Sequence, residues 1–253
     1  MSADISPENP PPVRLRRKTW LSVMAVLVLL YLAVAYVVLP MGWVVYAHRH
    51  PALDAVPGIT RTGDDHPGDP INVALIGSET ELKTALLAAG WFPADPITLK
   101  SCVEIAEGTI LHRSYDEAPV SPLYLFNRKQ DLAFEQPVGH DPRRRHHVRF
   151  WKTPQPEEDG RLGWVGSATY DERVGLSHTT GQITHHIAAD VDAERDHLAQ
   201  CLEKAHQLSG QEMIPNFHEI HTGKNGGGDP WKTDGGLFLG TLREKSSRAS
   251  GPR

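Results

Sequence analysis

The sequence predicts an α+β protein, with one N-terminal transmembrane helix followed by a mixed, largely antiparallel sheet with helices packed on one side. Three features predict this class: an uncharged apolar stretch over residues 20–46, a strand–turn–helix pattern over residues 71–90, and a series of short apolar runs that ends in an amphipathic segment over residues 190–208. With 253 residues, 40% of them hydrophobic and 23% charged, the chain can bury one core, and wholesale disorder is excluded. A formal charge of −5 argues against a protein built to hold phosphate backbones, so no nucleic-acid partner is expected.

The apolar stretch exceeds the roughly 20 residues that span a ~30 Å hydrocarbon core. Trp20 at one end and Trp43 and Tyr46 at the other suit the two interfacial aromatic belts. A cleaved signal peptide is the rival, but its A-x-A-like triplet, Ala33-Val34-Ala35, falls inside the apolar run and not at its end. Arg14, Arg16, Arg17 and Lys18 precede the span, which predicts a cytoplasmic tail over 1–19 and an outer-side location for the chain from residue 47 onward. Residues 47–68, rich in proline and lacking apolar periodicity, read as a linker. Residues 69–243 read as one soluble domain, and the polar stretch 244–253 as a disordered tail.

Within the domain, residues 71–76 form an apolar strand pattern, and Ser78-x-x-Glu81 is a capping box that starts a helix with Leu82, Ala85, Leu86 and Ala89 inward and Gly90 past its end. A second helix is expected over 97–111. Residues 123–126 and 132–135 read as a hairpin, followed by strands over 146–151, 163–170 and 183–188. Asp190 caps the best helix pattern, with Val191, Leu198, Cys201, Leu202, Ala205 and Leu208 on one face. Residues 217–221 and 237–242 are weaker strand patterns around a glycine-rich loop.

Fourteen histidines make up the main chemical signal. On a strand, His147, Arg149 and Trp151 face one way, and His146, Val148 and Phe150 the other. Likewise His185 shares a face with Ile183 and Ile187, and His186 with Thr184. His146 and His185 are therefore expected to be buried, hydrogen-bonded core histidines. His147, His186 and Arg149 are the candidate catalytic or ligand residues, near the start of the 190–208 helix. Imidazole with carboxylate suits a metal, for which His147, His186, Asp190 and Asp192 are the candidates; arginine beside histidine suits a phosphoryl or carboxylate group. No H-E-x-x-H, P-loop, G-x-G-x-x-G or G-x-S-x-G string occurs, so no cofactor is specified. The loop over 223–236 offers Gly226, Gly227, Gly228 and Lys232 as an anion cradle. His218 and His221 read as surface residues. Cys102 and Cys201 are compatible either with a disulfide or with two buried thiols.

Four strings in order, SPLYLFNRKQDLAFEQP (121–137), RRRHHVRFW (143–151), TGQITHHIAADVDAERD (180–196) and NGGGDPWKTDGG (225–236), resemble the LssY C-terminal domain family. The resemblance implies a bacterial membrane-associated domain and imports no reaction. That family occurs behind multi-pass membrane regions, whereas this chain has one predicted span and lacks the P-S-G-H string of the membrane phosphatases. The expected function is a single-pass binding or accessory module of the bacterial envelope. It would be held in the inner membrane through residues 20–46, with the lipid bilayer or another membrane protein as partner. The alternative is a phosphoesterase-like, metal-assisted hydrolase acting on lipid or envelope intermediates. Convergence of His147, His186 and Arg149 in one cleft, or a stoichiometric bound metal, would favour the hydrolase; a flat polar surface with separated histidines would favour the binding module.

Overall fold

The computed structural model describes residues 17–39, 41, 53, 56–94, 122–139, 144–156, 160–179, 181 and 183–244. The chain divides into two units, residues 1–49 and 50–253. The first carries α1 (Arg17–Ala33), continued as a π-helical segment over Val34–Val38. Its apolar part, Trp20–Val38, is 19 residues long, about 28 Å at the α-helical rise, and fully exposed, so it is long and apolar enough to cross a membrane.

The second unit is built on an eight-stranded sheet. Its strands are β3 (Val73–Ile76), β4 (Phe92–Pro93), β7 (Leu132–Pro137), β8 (Arg145–Lys152), β9 (Gly163–Leu176), β10 (Ile183–Ile187), β11 (Leu208–Ile214) and β14 (Leu237–Leu242). The spatial order is β11-β14-β3-β9-β8-β7-β4, with β10 added to the far half of β9. Only the β14–β3 pairing is parallel, as the mixed, largely antiparallel reading expects. Helices α2 (Glu79–Ala88) and α3 (Val191–Lys204) lie on one face, where Leu82, Leu86, Leu198 and Leu202 pack with Val148, Phe150 and Phe134. The Ser78–Glu81 capping box forms as the sequence predicts, and Asp190 caps α3 by accepting from the Ala193 N–H.

The opposite face is covered by a second sheet that the sequence did not announce, of β2 (Pro67–Pro70), β1 (Ile59–Thr62), β5 (Leu123–Leu125) and β6 (Arg128–Lys129) in that order. Leu123 and Leu125 meet Trp151, Val165 and Leu239 across this interface. The stretch read as a linker over 47–68 therefore contains strands. Pro67, from that stretch, and Pro70, just beyond it, sit at the two ends of β2, an edge strand where a missing N–H is tolerated. The hairpin expected between 123–126 and 132–135 is also corrected. Phe126 and Asn127 have φ of 50° and 58°, so the chain reverses there and β5 pairs with β6, while β7 crosses to the large sheet.

Helix α3 ends earlier than expected. Ala205 caps it, His206 adopts φ 55°, and Leu208 belongs to β11 instead of the helix face. Residues 217–221 are not a strand; β12 (Thr222–Lys224) and β13 (Pro230–Lys232) flank the glycine-rich loop. The helix expected over 97–111, with Cys102, and the tail over 245–253 lie outside the described residues.

Candidate functional site: a charged cavity between the sheets

Strand β8 alternates as its sequence dictates. Val148 and Phe150 enter the helix-side core, and Trp151 enters the core between the sheets. The remaining residues on the inter-sheet face, Arg145, His147 and Arg149, are buried as well, so part of an interface that is otherwise apolar is ionisable. Burying such groups is costly without partners, and most of the partners come from other strands. Arg145 Nε donates to Asp171 Oδ2 at 3.0 Å and its Nη1 to Glu135 Oε2 at 2.8 Å. Arg145 Nη2 lies 3.3 Å from His185 Nε2, which accepts, since a guanidinium can only donate. Arg149 Nη1 lies 3.4 Å from Asp69 Oδ2, and Asp69 Oδ1 accepts from Asn225 Nδ2 at 3.1 Å.

Five of these residues, Asp69, Arg149, Asp171, His185 and Asn225, line a cavity of about 80 Å³ between the two sheets. Its wall takes Asp69 from β2, Arg149 from β8, Thr169 and Asp171 from β9, His185 from β10, and Asn225, Gly226 and Gly227 from the glycine-rich loop. Burial raises the Asp69 carboxyl despite the nearby Arg149 and Asn225. Burial, reinforced by Arg149, Arg145 and His185, holds His147 well below the usual imidazole value and so neutral. Among the described residues, the buried atoms His147 Nε2, Ser167 Oγ and Thr169 Oγ1 have no hydrogen-bond partner. All three belong to facing positions of β8 and β9, where His147 pairs with Thr169 and Arg149 with Ser167.

The structure separates the three residues that sequence reasoning grouped. Arg149 lines the cavity, and His147 lies on the same strand face, 1% exposed. His186 is elsewhere, with Nδ1 2.6 Å from Asp229 Oδ1. It is His185, read as a core histidine, that reaches the cavity and the arginines. His185 shares a face with Ile187, as the spacing predicts, but that face lines the cavity. His146, half-buried, bonds Glu194 Oε2 at 2.8 Å on the helix side and stacks on His197 with centroids 3.8 Å apart.

The metal candidates Asp190 and Asp192 are engaged otherwise. Asp190 caps α3 and pairs with Lys232, which keeps its carboxyl below the usual range. Asp192 accepts from Thr233 Oγ1, Arg195 Nη1 and the Asp234 N–H. In the glycine loop, the N–H groups of Gly227 and Gly228 are spent on Asn225 Oδ1 and Asn225 O, and the Lys232–Asp190 pair takes the lysine. The loop therefore serves as cavity wall through Gly226 and Gly227 more than as an anion nest. His218, expected at the surface, is 5% exposed, with Nε2 donating to Ile71 O at 2.6 Å. Cys201 is a free, half-buried thiol that burial holds protonated. Sequence reasoning missed Asp69, Thr169, Asp171 and Asn225; the one available signal was the buried-strand parity of Ser167, Thr169 and Asp171 opposite β8.

Together these features define an α+β domain in three layers, helices, large sheet and small sheet, with an ionisable cavity closed between the sheets by a glycine-rich loop. The chain belongs to the LssY C-terminus family, whose model matches residues 53–237. No curated protein and no solved structure matches it.

Proposed function

We propose that the chain is a membrane-anchored binding module of the bacterial envelope, and that the inter-sheet cavity receives a small neutral or zwitterionic group rich in hydrogen-bonding atoms. The observation that carries this reading is the cavity wall itself. Asp69, Arg149, Thr169, Asp171 and His185 stand where a sheet-on-sheet interface is ordinarily apolar. One lining atom, Thr169 Oγ1, is buried with no hydrogen-bond partner among the described residues, at a cost of about 1–3 kcal/mol that a ligand's own polar atoms offset. Both signs of charge line the wall, which disfavours a simple anion or cation and suits a group carrying both or neither. A hydrolase is less well supported, because of its three candidate residues, His147, His186 and Arg149, only Arg149 lines the cavity.

The test is a thermal-shift survey of the full chain in detergent, with EDTA present, against small polyols, sugars, amino acids, zwitterionic headgroup analogues and phosphate. We expect a neutral or zwitterionic compound to raise Tm. Thr169→Val, which removes one wall hydroxyl at nearly constant volume, should weaken that compound about tenfold, since one lost hydrogen bond is worth roughly 1.4 kcal/mol. A response to phosphate alone, or binding indifferent to Thr169→Val and Arg149→Lys, would sink the reading.

The same proposal places residues 1–19 in the cytoplasm and the domain outside the inner membrane, on the strength of the basic cluster before the span. A pair of compartment-specific reporters joined after Arg253 should be active only in the periplasmic form. Activity of the cytoplasmic form alone reverses the orientation.

A further inference from the structure

We propose that His178, His186 and Asp229 bind one divalent transition-metal ion of the Zn²⁺ class. One donor atom from each residue lies within 4.8 Å of the other two, and the three residues come from separate segments: the turn after β9, strand β10, and the loop entering β13. His186 and Asp229 are buried, with side chains 3% and 6% exposed, whereas His178 is exposed. The site thus has two fixed ligands inside and one at the surface, where an ion can enter.

Each ligand is held in place by something other than the ion. Asp229 donates its N–H to Asn225 Oδ1 at 2.9 Å, and its Oδ2 accepts from the Ile187 N–H at 3.4 Å. The His178 N–H donates to Gly227 O at 2.9 Å, and its ring lies 5.2 Å from that of His186. Glycine keeps this space open. A Cβ on Gly175 would stand 2.8 Å from His186 Nε2, and one on Gly228, at φ +85°, would stand 2.8 Å from His178 Cβ. Among the described residues the buried His186 Nε2 has no hydrogen-bond partner, and this imidazole is met only through Nδ1.

Two imidazoles and a carboxylate are the N₂O donor set of three-ligand zinc sites, which leave a further position for water. Binding requires neutral histidines and an ionised aspartate. A neutral His186 offers the ion the lone pair of one ring nitrogen and keeps its single proton on the other, so no imidazolate forms and the carboxylate charge of Asp229 is available to the ion. This site is separate from the cavity, but its ligands are chain neighbours of the wall residues Thr184, His185 and Gly227. The ion therefore ties β10 and the glycine-rich loop, which line the cavity, to the turn after β9.

The experiment uses the full chain in detergent, stripped with EDTA and dialysed against Zn²⁺ or Co²⁺. We expect about one equivalent retained and, with Co²⁺, the intense visible bands of a four-coordinate N/O site. His178→Ala removes an exposed side chain, and Asp229→Asn keeps size and one acceptor, so circular dichroism should stay unchanged in both. Each should weaken retention by at least the roughly 10–100-fold that even the loss of an outer partner costs. The exposed control His221→Ala should retain the ion. Absence of stoichiometric retention, or retention that survives in either His178→Ala or Asp229→Asn, overturns the site. Because the cavity survey is run in EDTA, the two proposals fail separately.

Discussion

Asn72 is the residue on which the layers converge. Its side-chain Nδ2 donates to Ala168 O and Val191 O at 2.9 Å, and its Oδ1 accepts from the Ala168 N–H at 2.8 Å, so one amide ties β3 to β9 and to the first turn of α3. The side chain is fully buried. Asn72→Ala strands the buried Ala168 N–H and C=O and removes a bond to Val191 O, and we expect it to cost about 3 kcal/mol in a chemical-denaturation measurement. A loss below about 1 kcal/mol would show that water replaces the amide. None of this was legible in the sequence, where Asn72 is one polar letter in an apolar run. By contrast, the parity of His147, Arg149 and Trp151 was legible, because side-chain direction on a strand depends on spacing alone. What spacing cannot give is the partner: Asp69 reaches Arg149 across 80 positions, and Glu194 reaches His146 across 48.

At the scale of elements, local signals are legible and non-local ones are not. The Ser78 capping box, the Asp190 cap and the strand Leu237–Leu242 each rest on residues within a few positions of one another, and each forms. Strand β11, LSGQEMI, carries few apolar residues because it is an edge strand with five of its seven residues exposed; only its pairing with β14 makes it a strand. The far end of β9, ERVGL, is polar for a similar reason, since its one partner among the described strands is β10. The small sheet stayed hidden because its strands are two to four residues long and begin in a proline-bearing stretch. The cavity it floors stayed hidden with it. Of the three proposed metal ligands the sequence offered His186; His178, in the turn after β9, and Asp229, 43 positions beyond His186, join it only through the fold.

For the folded domain as a whole, buried histidines set the response to acid. His147, His197 and His218 all have folded values below the ordinary 6.5, burial being the largest cause in each, and His197 is brought to about 4. Between pH 6.5 and those folded values the unfolded chain takes up protons that the folded chain refuses, so stability falls as the pH falls. Asp69 and Glu194 act in the opposite sense: burial raises both, so protonation through their folded values favours the native state and offsets part of the loss. Asp190 and Asp234 are held low by Lys232 and Arg195, and their contribution is lost only below the unfolded carboxylate value of 3.8, beneath the histidine window. The histidines therefore act first as the pH drops from neutral. We expect the Tm of the full chain, measured in EDTA, to fall by several degrees between pH 7.5 and 5.5, at about 2–4 °C per kcal/mol. His197→Gln removes one titrating ring while keeping a side chain able to meet Gln136, whose Oε1 lies 2.7 Å from His197 Nε2. That variant should show a shallower fall between pH 6.5 and 4. The wild-type ring is half-buried and partly screened by solvent, so its share is smaller than that of His147. A Tm that is flat or rising from pH 7.5 to 5.5 would mean that the raised carboxyls outweigh the histidines, and that the charged face between the sheets is governed by Asp69.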